Sequence, residues 1–274
     1  MDPIITYLFL GVIQGITEWL PISSSAVITL IMTNFLGITD IEVILRSALF
    51  LHLGTFFAAL IYFRKDVKDL FRTFFKYKNS TLESKKILNF IILTTFISGT
   101  IGLIILKLLP WLFNNVLIIQ NEFELVGKVI SLFVAILLLV TGTIQIKIKK
   151  GGGLKTKSDI KGSDTLLAGF AQGIAALPGI SRSGMTLSAL LLKKFDDTSA
   201  LRLSFLMSLP VVLIGNIFLN INQIIFTPVA IAGVLASFVF GLLTIHTLMK
   251  VSKKVNFGWF VIFFGLLMLV GILF

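Results

Sequence analysis

The chain contains no cysteine. That excludes a disulfide framework and any thiolate-bound metal, and leaves the compartment open. Charge is scarce too: only 14% of the 274 residues are Asp, Glu, Lys or Arg, against 56% hydrophobic residues. With 26 Phe and a mean hydropathy of +1.01, the composition lies outside the range of soluble domains and reads as a multi-span membrane protein. No basic n-region or small-residue cleavage signal precedes the first apolar run, which follows Asp2, so the N-terminus reads as mature sequence. The triplet Gly151, Gly152 and Gly153 lacks the strand, the helix and the Gly-Lys-Ser/Thr ending of a P-loop, which leaves a flexible linker as the expected role.

Acidic residues are also few, and the net charge is +11. The basic residues are not interleaved with exposed aromatics as a nucleic-acid surface requires; they lie between apolar runs and report topology. Residues 64–86 carry eight Lys or Arg against three acids, residues 147–164 carry six Lys against two acids, and Lys250, Lys253 and Lys254 form a third cluster. The positive-inside rule places these loops in the cytoplasm and the uncharged or acidic loops, 110–124 and 222–228, outside. Apolar runs at 43–63, 87–109, 125–146, 203–221, 228–249 and 257–274 are each long enough to span, giving six spans.

The chain is a duplication. GVIQGITEWLPISSS at 11–25 returns as GFAQGIAALPGISRS at 169–183, so that Gly11, Gln14, Gly15, Ile16, Ile22, Ser23 and Ser25 match Gly169, Gln172, Gly173, Ile174, Ile180, Ser181 and Ser183, each 158 positions later. Threading the six spans through the basic loops leaves the first copy outside at both ends and the second inside at both ends. Each copy therefore reads as a re-entrant helical hairpin followed by three spans, and an odd number of crossings inverts the second repeat. The expected architecture is an all-α integral membrane protein of inverted topology, one membrane domain over 1–274 with repeat one at 1–146, a cytoplasmic linker at 147–164 and repeat two at 165–274. Broken helices from opposite faces meet near the bilayer midplane, which brings the two hydroxyl-rich tips together.

Arg182, costly in an apolar region, calls for an anionic partner, and its fork suits a phosphate. Pro178 and Gly179 permit a tight turn before it, and Ser181, Ser183 and Thr186 add hydroxyl donors. The structural alternative is a buried ion pair with Glu18 across the repeat interface, with the Ser residues easing helix packing. Gln14 and Glu18 lie one helical turn apart on one face, beside the run Ser23, Ser24 and Ser25. A carboxylate so placed acts as a general base toward a hydroxyl or water, or holds a divalent cation; one Glu does not choose between them.

These two segments, GVIQGITEWLPISSS and LPGISRSGMT, together with LHLGT at 51–55 and RLSFLMSLP at 202–210, resemble the signature motifs of the undecaprenyl diphosphate phosphatase family, associated with bacitracin resistance. The resemblance runs the length of the chain. It implies six spans plus two re-entrant hairpins, a homodimer, location in the cell membrane and recycling of the lipid carrier of envelope glycans. It implies that Gln14 and Glu18 serve divalent cation use (Mg²⁺ or Ca²⁺) and catalysis, that Arg182, Ser181, Ser183 and Thr186 hold the diphosphate, and that Ser24 is the nucleophile unless water attacks directly. One position departs from the pattern: the family's usual Gly-His after the hydroxyls is Ala26 and Val27 here. Glu18 then carries the base role alone, or His52 on the first span substitutes, or activity is reduced or lost. The expected function is hydrolysis of a polyprenyl diphosphate to the monophosphate and phosphate. A transporter or flippase of a phosphorylated lipid or anion is the alternative, since inverted repeats with broken helices are also a transporter architecture. A catalytically silent homologue is a third reading.

Overall fold

A computed structural model describes residues 2–38, 40–115, 132, 135–143, 146–147, 154–177, 179–220, 227–254 and 257–273. Among these residues the secondary structure is helical, with no strand and one isolated bridge, Lys155 with Phe195. The outer loops expected at 110–124 and 222–228, the glycine triplet, Pro178 and most of the expected span at 125–146 lie wholly or largely outside the described residues.

Both repeated segments fold as a helix, a break and a second helix. In the first, α1 (Pro3–Thr17) starts from Asp2, whose carboxylate accepts the Ile4 N–H at 2.7 Å, with Pro3 at the first turn where its missing N–H costs nothing. The chain turns over 18–22 and restarts as α2 (Ser24–Leu30), capped by Ser23, whose hydroxyl accepts the Ala26 N–H at 3.3 Å. The second segment repeats this with α7 (Gly162–Ile174) and α8 (Arg182–Leu192), where the Ser181 hydroxyl accepts the Gly184 N–H at 3.0 Å. Gly179 sits in that turn with φ +87°, a conformation glycine adopts without strain. The N-cap serines are thus equivalent residues of the two copies.

After α2 and a π-helical turn (Ile31–Phe35) come α3 (Ile41–Tyr62), α4 (Arg64–Phe75) and α5 (Leu82–Asn115), then the helical residues 135–143 as α6. The second half continues with α9 (Asp197–Asn220), α10 (Pro228–Lys254) and α11 (Phe257–Leu273). Among the described residues, three helices are long and apolar enough to cross a membrane, over Leu82–Ile105, Asp197–Ile217 and Pro228–Ser252. A fourth candidate is α3 with α4, bent by 81° at Phe63. Their outer faces carry exposed Ile92, Phe96, Leu235 and Leu243, a surface suited to lipid.

Much of the basic stretch 64–86, expected as a loop, is helical. α4 exposes Phe71, Phe74 and Phe75 alongside Arg64, Lys65, Lys68 and Arg72, the mixture carried by helices lying in the membrane interface. The end of the expected linker is also tied down. Lys155 pairs with Asp164 at 2.7 Å, Lys157 pairs with Glu83 at 2.9 Å, and Lys86 donates to the Ser158 carbonyl at 2.9 Å.

The two halves exchange packing partners. α1 lies against α10, and α7 lies against α5. Gly11 and Gly15 make the first contact: a Cβ on Gly15 would stand 2.7 Å from the Gly241 nitrogen and the Ser237 carbonyl oxygen. Their counterparts Gly169 and Gly173 make the second, where a Cβ on Gly173 would meet Ile101 at 2.7 Å. Lipid tails are as apolar as Leu, so association within a bilayer depends on such close approach and not on hydrophobic transfer. α3 packs on both α9 and α10, and Trp19 meets Phe205 edge-on with ring centroids 4.8 Å apart, which closes the core beneath the site.

Candidate active site

The breaks between α1 and α2 and between α7 and α8 converge on one carboxylate. Glu18, 6% exposed, follows the last turn of α1, and its backbone N–H donates to the Gln14 carbonyl at 3.0 Å. Its Oε1 accepts from Arg182 Nη2 at 2.6 Å. Its Oε2 accepts from Ser24 Oγ at 2.6 Å and Gln14 Nε2 at 3.0 Å, and lies 3.1 Å from His52 Nε2. Four elements thus hold one buried group: α1, α2, α3 and α8. The helical spacing of Gln14 and Glu18 and the Ser24 position just past the break explain the local contacts; the other two depend on tertiary packing.

A cavity of about 440 Å³ opens from this cluster. Ser23, Ser24, Ser25, Glu18, His52, Arg182 and Ser183 line its polar end, while Leu49, Leu103, Val211, Val212 and Ile214 supply an apolar wall. Gly99 and Gly215 are also in the wall, with nothing within 4 Å of the place a Cβ would occupy. A polar head against the charged cluster and an apolar tail along α5 and α9 match this division of surface.

The remaining expected site residues support the cluster from outside the cavity lining. Ser181 caps α8, and its hydroxyl lies 3.1 Å from that of Ser183. Ser183 donates to the Leu20 carbonyl at 2.5 Å, which ties the second break to the first. Thr186 is buried, with its hydroxyl 2.6 Å from Ser204 Oγ and donating to the Arg182 carbonyl at 2.9 Å, so it fixes the turn that carries Arg182. Gly179 shapes the approach to that turn. Arg182 also reaches toward the Ser204 carbonyl at 3.5 Å and lies 5.9 Å from the Trp19 ring centre.

Three contributors were not singled out from the sequence. Ser204 was inside a quoted stretch with nothing local to mark it. Gln172, the repeat counterpart of Gln14, lines the cavity and donates to Ser98 Oγ at 3.0 Å. The 158-residue offset was the signal that could have found it. Ser98 itself carried no signal.

The fit of a resident divalent cation is poor at Glu18. Arg182 takes one carboxylate oxygen and three other groups crowd the second, so a cation there would displace a donor and face a guanidinium. Among the described residues no three Asp, Glu or His side chains gather as a metal site. Gln14 Oε1 is buried without a partner, a single neutral oxygen. Hard cations require several oxygen ligands, which this set does not provide.

Residues 7–272 match the family model described as bacitracin resistance protein BacA. The chain belongs to this family. It is 40% identical to an undecaprenyl-diphosphatase of Methanococcoides burtonii over 95% of both chains. It is also 34% identical to one of Haloarcula marismortui, over 99% of this chain and 98% of that one, and 33% identical to one of Sulfurisphaera tokodaii, over 91% and 89%. Membership of BacA agrees with the resemblance read from the two motifs, which are the segments that build the Glu18–Arg182 cluster.

Proposed function

We propose that this BacA-family chain hydrolyses undecaprenyl diphosphate to the monophosphate and phosphate, at the cavity headed by Glu18, Ser24 and Arg182. The carrying observation is the convergence of both duplicated breaks on one buried carboxylate, with a hydroxyl at 2.6 Å on one side and a guanidinium at 2.6 Å on the other. The Ser24 hydroxyl attacks the terminal phosphorus and passes its proton to Glu18 Oε2. Arg182 moves from Glu18 toward the transferring phosphoryl group and offsets the charge on its oxygens. The prenyl monophosphate leaves along the apolar wall with one proton, which frees Glu18 of the one it took; Glu18 then deprotonates water, phosphate is released, and that proton returns to Ser24. Ser23, Ser25 and, on turning from the Leu20 carbonyl, Ser183 donate to the diphosphate, while Gln14, Ser181, Thr186 and Gly179 hold the donors in place. A divalent cation would, in this reading, be brought by the substrate and would offset charge on the diphosphate beside Glu18 and Gln14.

The architecture we infer around this site is six spans and two re-entrant hairpins in an inverted repeat, with repeat one at 1–146 and repeat two at 165–274, in the cell membrane and assembled as a homodimer. The exchanged packing of α1 on α10 and α7 on α5 supports the inverted relation. The transport and silent-homologue readings are less favoured, because the relatives are named for hydrolysis. The test is phosphate release from undecaprenyl diphosphate by the purified protein, with Mg²⁺, Ca²⁺ or a chelator. Wild-type turnover lost in Arg182→Ala is expected; full activity in that variant rejects the assignment.

A further inference from the structure

The proton inventory around Glu18 does not close with a neutral His52. Nδ1 of His52 lies 2.6 Å from the Ala48 carbonyl oxygen. A carbonyl only accepts, so Nδ1 carries a hydrogen and the ring is held to one orientation on α3. Nε2 then points at Glu18 Oε2, 3.1 Å away. In a neutral ring protonated at Nδ1, that nitrogen presents a lone pair, and so does the carboxylate oxygen. Two acceptors do not stay in contact in a buried site; a proton lies between them. Ser24 and Gln14 already donate to the same oxygen, and Arg182 holds the other, so the carboxylate is arranged to be the anion.

We infer that His52 is held as an imidazolium and is a catalytic residue: it supplies the second positive charge of the diphosphate site and the proton taken by the departing monophosphate. This deepens the phosphatase reading and rests on it. With Glu18 as anion and Arg182 and His52 as cations, the cluster carries one net positive charge before substrate arrives. His52 lines the cavity together with Arg182 and Ser24, so a diphosphate seated there reaches the Nε2 proton as it turns from Glu18. During transfer the Ser24 oxygen bonds to the terminal phosphorus and its proton goes to Glu18. The bond from that phosphorus to the bridging oxygen breaks, and the bridging oxygen takes the Nε2 proton of His52. Glu18 then returns its proton to Nε2 across the existing contact. In the second half-reaction water bonds to phosphorus, loses a proton to Glu18, and the phosphorus–Oγ bond breaks with the proton returning to Ser24.

The experiment compares wild type, His52→Gln, His52→Ala and Arg182→Ala for kcat, KM and the pH profile of kcat on undecaprenyl diphosphate, with thermal unfolding of each in detergent. Gln keeps a neutral N–H that reaches Glu18, so a purely positioning role predicts near-normal kcat in His52→Gln. The expected result is a loss of kcat of roughly 10²-fold in both His52 variants, in line with general acid–base contributions. KM should rise as well, since both variants remove a positive charge facing the diphosphate, and the alkaline limb of the wild-type profile should disappear with the proton donor. Added imidazole should restore part of the His52→Ala turnover; this arm decides if His52→Gln fails to fold. Wild-type kcat and an unchanged alkaline limb in His52→Gln overturn the inference while leaving the phosphatase intact. Absence of phosphate release by wild type overturns the phosphatase reading itself.

Discussion

Replacing Arg182 with Gln removes the guanidinium that holds the buried Glu18 carboxylate, with a shorter neutral side chain in its place. At 2.6 Å the gross attraction of Glu18 and Arg182 is about 6 kcal/mol with an effective dielectric of about 20. Desolvating two ions costs several kcal/mol each, so the pair as a whole contributes little net stability. The single variant is a different matter, because it leaves a buried charge without its partner, at about 3–5 kcal/mol. Gln14, Ser24 and His52 still contact that carboxylate, which argues for the lower end. At about 2 °C per kcal/mol for a chain of this length, Arg182→Gln should lower the midpoint of thermal unfolding by roughly 6 °C. The double variant Glu18→Gln with Arg182→Gln should unfold at a higher temperature than Arg182→Gln alone, since the stranded charge has gone. The assay is intrinsic-fluorescence melting of purified protein in one detergent for all four members of the cycle. Strictly additive shifts, or a single-variant loss below about 1 kcal/mol, refute the picture of a buried and mutually dependent pair.

Three further outcomes follow from the geometry. Ser24→Ala should lower kcat by about 10³-fold or more with the fold intact, and acid quenching of wild type during turnover should trap phosphate on Ser24; labelled phosphate appearing only in solution would favour direct attack by water. Val27 does not line the cavity, so Val27→His should change kcat by less than about threefold; a gain above tenfold would mean that the native chain lacks its acid–base group. Gly15→Val should destabilise by about 1–3 kcal/mol through overpacking against Ser237 and Gly241, while Gly215→Ala, with open space around it, should stay within about 1 kcal/mol, both read from thermal unfolding.

What could be read from the sequence was whatever repeats or obeys a local period. The offset of 158 residues exposed the duplication, and the polar runs at 21–25 and 179–183 marked where helices break, because Ser, Pro and Gly act on their own backbone. The Gln14–Glu18 pairing followed from a helical turn, and the meeting of Glu18 with Arg182 followed from opposed broken helices. The amphipathic α4 was hidden because charge counting treats a basic stretch as a loop and ignores where Phe71, Phe74 and Phe75 fall. Ser204, Ser98 and the Ala48 carbonyl that orients His52 reach their partners only through the packing of separate helices. No local pattern encodes those distances. The roles of Ser181 and Thr186 also shifted once their hydroxyls were located, since a cap and a brace use the same residue types as a ligand contact.

The duplication has a consequence for how such a site could arise. Aligned by their offset, Ser24 stands where Arg182 stands in the other copy, and Glu18 stands where Ala176 does. A symmetric pair of identical half-length chains would have to place the same side chain at both members of each pair, two arginines or two serines facing one another. Joining the halves into one polypeptide lets a single position be solved twice, once as a hydroxyl and once as a cation. The division of labour at the centre of this molecule is therefore a property of its covalent continuity: broken symmetry, at two pairs of positions, turns a packing interface into a place for chemistry.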